Sequence, residues 1–240
     1  MAYDVHFHFD PVCQFAWLTS KWLREVASLR DYSVDWRFIS LRIINKNVDY
    51  ASHFPEGYER GHQQGLDLLR VAAAVRSGAG RDVVGDLYQA ITRQIFDVEP
   101  AAAGPARRRL AEGDGVRDAL AEIGLDRSYA DALHDTTWDA EIEAECEEAL
   151  TKTGRDVGTP IIGFSPPDGP YFFGPVISRV PRGDDALRLW DVIVELAAFP
   201  GFSELKRSLR ETPQLRAFGI SEATIGAAED WHQGSRKLKK

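Results

Sequence analysis

From Tyr3 to Phe9 apolar and polar residues alternate. Val5, Phe7 and Phe9 share one face, and Asp4, His6 and His8 the other, the period-two pattern of a strand. Pro11 ends it, because proline has no N–H for the ladder. The spacing then changes. Phe15, Leu18, Trp22, Val26 and Leu29 recur at steps of three and four, which predicts a helix over Phe15 to Leu29 with one buried stripe. From Val34 to Leu41 alternation returns, with Val34, Trp36 and Phe38 set against Asp35 and Arg37. The opening therefore reads as strand, turn, helix, strand. Its first turn lies at the carboxyl end of the first strand, where open α/β sheets place their sites.

The middle carries no strand pattern. Helical spacing runs through Gly61 to Ser77, Val83 to Ile95, Ala101 to Ile123 (broken at Gly113-Asp114-Gly115), Tyr129 to Leu133, and Trp138 to Lys152. The last of these holds Glu141, Glu143, Glu145, Glu147 and Glu148 and is expected to be an acidic surface. Strands return at Thr159 to Phe164 and Tyr171 to Phe173. The turn Pro166-Pro167-Asp168-Gly169 between them predicts a hairpin. Asp184 to Phe199 is an amphipathic helix. Beyond Pro200 the chain is polar and turn-rich, with one short helix expected at Ser203 to Arg210. The order implies an α/β domain built from residues 1–50 and 154–215, an all-helical insertion at 51–153, and a C-terminal tail at 216–240.

Composition narrows the function classes. The 240 residues are 44% hydrophobic, with six Trp and twelve Phe, enough for a sizeable core. The formal charge of −8 argues against a general nucleic-acid surface, which needs a basic face. The basic run Arg236 to Lys240 reads as a solvated tail. No apolar window approaches the roughly 18 residues of a membrane span, and the first ten residues lack the basic-then-apolar pattern of a signal peptide. The expectation is a cytoplasmic protein. Its two cysteines, Cys13 and Cys146, cannot form a disulfide framework and should be free thiols.

Cys13 is the candidate centre. It stands where the first helix begins, and there unpaired N–H groups and the positive end of the helix dipole favour thiolate over thiol. The competing reading is a buried structural cysteine. Cys146, among acidic neighbours that raise a thiol pKa, reads as a packed helix cysteine. His6 and His8 share parity with Asp4 and Asp10. A central strand covered on both faces makes them hydrogen-bonded buried histidines rather than metal ligands, and no metal is expected.

Phe9-Asp10-Pro11-Val12-Cys13, Gly158-Thr159-Pro160, Phe173-Gly174-Pro175-Val176, Pro181-Arg182-Gly183 and Glu204-Leu205-Lys206-Arg207, with the helical insertion, resemble the DsbA-like branch of the thioredoxin superfamily. Within it they are similar to the actinobacterial mycothiol-dependent reductases, a group that includes enzymes reducing nitroaromatic prodrugs. The resemblance extends to about Gln214. It implies a thioredoxin fold with a large inserted helical domain, Cys13 as nucleophile, and a cis-proline at Pro160 with Thr159 pairing to substrate. It also implies Phe15, Trp17 and Tyr58 at the substrate or thiol site, with Phe15 facing outward, and a homodimer. The family motif is Cys-Pro-Trp-Cys, and this chain has Cys13-Gln14-Phe15-Ala16. A histidine of the reductases' helical domain corresponds to Phe96. With Ala16 there is no intramotif disulfide. The chemistry implied is monothiol: Cys13 attacks, and an external low-molecular-weight thiol, mycothiol by resemblance, resolves the product. No tightly bound cofactor is expected. The rival expectations are a kappa-type thiol transferase or isomerase, and a retired thioredoxin-fold binding protein.

Overall fold

The computed structural model describes residues 3–220 and 225–230; the basic run Arg236 to Lys240 lies outside the described residues. Strand β1 (Val5–Phe9) leads through a tight turn into helix α1 (Gln14–Leu29), and strand β2 (Val34–Phe38) follows. Phe7 and Phe9 of β1 are fully buried, as are Trp22, Leu23 and Val26 of α1 and Phe38 of β2, so the two periodicities converge on one core. Helices then run without interruption by a strand: α2 (Leu41–Ile44), α3 (Tyr50–His53), α4 (Tyr58–Ala79), α5 (Val84–Phe96), α6 (Pro100–Ala111), α7 (Asp114–Glu122) and α8 (Asp139–Thr153). Arg127–His134 and Thr136–Trp138 are 3-10 turns before α8, where sequence spacing predicts an ordinary helix over Tyr129 to Leu133. The break expected at Gly113 is there, with φ +88° at Gly113 as the N-cap of α7.

Strands β3 (Ile161–Phe164) and β4 (Tyr171–Phe173) form the expected hairpin, and α9 (Gly183–Ala198) packs back on α1. The sheet order is β2-β1-β3-β4. β1 runs parallel to β2, in register Val5↔Val34 to Phe9↔Phe38, and antiparallel to β3. A βαβ unit and a ββα unit sharing one four-stranded sheet in this order is the thioredoxin fold, here with helices inserted between the two units.

Three expectations fail for physical reasons. Ser203 to Arg210 is not helical: the chain has no regular structure from Ser203 to Ser208 and then enters strand β5 (Leu209–Glu211), which pairs antiparallel with β6 (Ala228–Asp230). Cross-strand partners from far along the chain decide that segment, and local spacing cannot show them. Glu145 of α8 is not on an acidic surface. It is buried and shared by Arg37 and Arg76, and its carboxylate also accepts the Phe38 N–H at 2.8 Å. Nor is His8 hydrogen-bonded. It is fully buried with no partner on either ring nitrogen, whereas His6 Nδ1 meets the Tyr171 hydroxyl at 2.8 Å.

Candidate functional site

Cys13 is the N-cap of α1. Its extended backbone (φ −82°, ψ 113°) leaves Sγ facing the first turn, where the Ala16 N–H donates to it at 3.4 Å. The sulfhydryl in turn donates to the Thr159 carbonyl at 3.3 Å. Thr159 is buried, its Oγ1 lies 3.4 Å from the His8 carbonyl, and the Thr159–Pro160 peptide is cis. The structure thus brings Cys13, Thr159 and Pro160 together from opposite ends of the chain. The loop after β4 is tied to the same end: Gly174 N–H bonds the Pro160 carbonyl, and Thr19 of α1 bonds the Pro175 carbonyl, each at 2.8 Å.

The turn before Cys13 is fixed by Asp10. Its buried carboxyl accepts the Val12 N–H at 2.9 Å and the Leu41 N–H at 2.7 Å. Burial pushes its pKa up to about 7, against those two hydrogen bonds. Helix α4 approaches this turn so closely that a side chain at Gly65 would collide with Asp10 and Val12.

Thiolate character, expected from the helix start, is overridden in this conformation. Cys13 is only 9% exposed, and burial pushes its thiol up to about 12. The Ala16 N–H and the Arg210 charge act in the opposite direction, while the Asp10 charge adds to the rise. Desolvation outweighs a single helix terminus because the charged form loses nearly all its water.

The other expected site residues divide. Phe15 does not face outward. It is 5% exposed, and the Arg210 guanidinium lies over its ring at 5.5 Å from the centroid. Trp17 is fully buried, and its indole N–H reaches Asp97 at 3.1 Å; Lys21 also holds Asp97 at 2.7 Å. It joins α1 to the end of α5. Tyr58 is half-buried two turns before Gly65 on α4, stacked on Phe54 and edge-on to His62. Phe96 is buried, edge-on to Phe218. Cys146 is a packed thiol that accepts the Ser40 N–H at 3.1 Å. Sequence spacing missed Asp10 as the brace of the turn, Asp97 as the partner of Trp17, and Arg210. Asp10 carried a signal, since a carboxylate just before a helix-start turn is an N–H acceptor; Arg210 carried none. Among the described residues, no three His, Cys, Asp or Glu side chains are grouped to hold a metal, and no helix is long and apolar enough to cross a membrane.

Residues 12–207 match a family described as Rv2466c-like, mycothiol-dependent nitroreductase Rv2466c. The uncharacterized protein Rv2286c of Mycobacterium tuberculosis is 33% identical over 204 residues, covering 85% of this chain and 81% of its own. Two solved structures of the cytosolic disulfide reductase DsbM from Pseudomonas aeruginosa, one of them with GSH, are similar at 15% identity. They cover 80% of this chain and 98% and 99% of their own, with TM-scores of 0.49 and 0.46.

Proposed function

The chain belongs to the Rv2466c-like family of mycothiol-dependent nitroreductases, and from that membership we propose a thiol-dependent oxidoreductase that works through one sulfur, Cys13. The observation that carries the reading is the pairing of a helix-capping Cys13, bonded to the Thr159 carbonyl beside the cis Pro160, with Ala16 where a second sulfur would stand. The cysteine has its frame but no partner within the turn.

The chemistry then balances with an external thiol. The Cys13 thiolate attacks one sulfur of a disulfide, forms a mixed disulfide, and releases the other sulfur as a thiolate. A second small thiolate attacks the mixed disulfide at the substrate sulfur and returns Cys13 as thiolate. That small thiol leaves joined to the substrate sulfur; a further small thiolate attacks this new disulfide at the small-thiol sulfur and frees the substrate sulfur as thiolate, so two small thiols supply the two electrons and leave as their own disulfide. Mycothiol is the thiol named for the family and is the one we propose; a reducing cytoplasm is the compartment that supplies such a thiol. The Ala16 N–H stabilises the Cys13 sulfur as attacking and leaving group, and the Thr159 carbonyl holds the proton of the resting thiol. Phe15 and Tyr58 are the proposed contacts for the incoming thiol. Trp17 fixes α1 against the end of α5.

The test is intact-mass analysis after exposure to mycothiol disulfide, with glutathione disulfide in parallel. One adduct on Cys13, absent in Cys13→Ser and removed by free thiol, is the expected result. An unmodified Cys13 under both disulfides would sink the reading. Conjugation of an electrophile to the small thiol, with no adduct on Cys13, would favour a transferase.

A further inference from the structure

The family match stops at residue 207, yet the chain beyond it crosses the end of the molecule that holds Cys13. Glu211 of β5 is clamped to the loop after β4. It accepts the Ser178 hydroxyl at 2.6 Å and the Arg179 guanidinium on both oxygens, and it also takes the Gly226 N–H at 2.7 Å. Gln214 N–H bonds the Ser178 carbonyl at 2.8 Å. Leu215 is driven into the core, at 1% exposure. Arg216 then pairs with Glu99, and Phe218 meets Phe96 edge-on, at the junction of α5 and α6. One short segment is therefore fastened to the thioredoxin unit at one side and to the inserted helices at the other. Immediately before the first of these anchors Arg210 lays its half-buried guanidinium on Phe15, two residues from Cys13.

Resting on the monothiol reading above, we propose that residues 208–220 form a strap that covers the Cys13 site and restricts it to small thiols and small electrophiles, excluding the disulfide of a folded protein. A protein disulfide presented in an extended segment must pair with backbone beside Thr159. Thr159 is buried and its carbonyl already accepts the Cys13 sulfhydryl. Admitting such a segment requires lifting the strap from Ser178, Arg179, Glu99 and Phe96 together. A small molecule needs only the Arg210 side chain to move off Phe15. Opening also returns water to a sulfur whose thiolate is suppressed by burial.

The experiment compares the full chain, its Glu211→Ala variant, and a chain ended after Arg207. Iodoacetamide reports small-reagent access and a polyethylene-glycol maleimide reports bulky access, both read by mass at Cys13. Each unit by which re-solvation lowers the thiol pKa raises its thiolate fraction about tenfold at neutral pH, so Glu211→Ala should speed iodoacetamide labelling by about tenfold or more. The polymer should label the shortened chain and spare the full chain. Should the shortened chain unfold, seen as loss of helical circular dichroism and labelling of Cys146, Glu211→Ala decides. Equal labelling of the full chain and Glu211→Ala, or polymer labelling of the full chain as fast as iodoacetamide, overturns the strap. Failure of the monothiol reading shows separately, as Cys13 that alkylates in Glu211→Ala but takes no disulfide adduct in any of the three.

Discussion

Gly61 and Gly65 lie one turn apart on α4, and replacing each with alanine should move stability in opposite directions. In a helix interior alanine is favoured over glycine by about 0.8–1 kcal/mol. At Gly61 nothing lies within 4 Å of where the new Cβ would stand, so Gly61→Ala should keep up to that gain. At Gly65 the Cβ would collide with Asp10 Oδ1 and reach Val12 Cγ2 at 2.9 Å. Asp10 cannot yield easily, because it is fully buried and its two oxygens hold the Val12 and Leu41 N–H groups. Overpacking of this kind costs about 1–3 kcal/mol, and a rigid obstacle belongs in the upper part of that range. Set against the helix gain, Gly65→Ala should lose about 1–2 kcal/mol. For a chain of this size that is a fall in Tm of about 2–8 °C, against a rise of about 2–4 °C for Gly61→Ala. Thermal unfolding followed by circular dichroism measures both. If Gly65→Ala matched Gly61→Ala in Tm, the close approach of α4 to the Cys13 turn would be wrong.

Two further outcomes follow from the same geometry. Ala16→Cys places a second sulfur one helical turn from Cys13, on the same face, at a fully buried position. It should create a dithiol that reduces insulin disulfides once the strap is removed by ending the chain after Arg207, and such a variant that folds yet stays inert would refute the placement of Ala16. His8→Phe should stabilise the fold by about 1 kcal/mol, because it removes two buried nitrogens that have no partner. Burial holds the His8 pKa well below its ordinary value, so the neutral form that the fold requires contributes stability above the unfolded pKa, and this contribution is lost as pH falls through it. Urea unfolding at pH values on either side of about 6.5 should therefore show a shallower acid loss in His8→Phe than in wild type. An unchanged slope would place a proton-stabilising partner on His8.

The elements that the sequence shows well are those whose pattern is set by one face. β1, α1, the β3–β4 hairpin and α9 are found within a residue or two, though Leu29 at the end of the expected α1 stripe is exposed; β2 starts where expected but ends at Phe38, three residues short of Leu41, which instead opens α2. Cys13 was legible for the same reason: it sits at the junction of two periods. What the sequence hides depends on partners distant in the chain. Glu145 looks like one glutamate among five on α8, and only Arg37 of β2 and Arg76 of α4 distinguish it. Phe15 looks like an outward motif residue until Arg210, 195 positions later, covers it. β5 pairs with β6 through three residues too short to leave a period.

The same division governs the chemistry of Cys13. Three influences on its sulfur are local and fixed: the Ala16 and Phe15 N–H groups, which favour thiolate, and the Asp10 charge, which opposes it. The larger influence, burial, and the Arg210 charge that partly offsets it depend on what lies over the site. A single-sulfur centre has no neighbouring thiol to take up an oxidised intermediate, so a permanently exposed thiolate would be open to every passing disulfide. Coupling reactivity to a movable cover restores selectivity without a second cysteine. Covered, the thiol is protonated and tied to Thr159; uncovered, the helix start can act on it. On this reading the loss of the resolving sulfur at Ala16 and the segment beyond the family match are two parts of one arrangement. A wild-type Cys13 pKa near that of an unburied thiol would separate them.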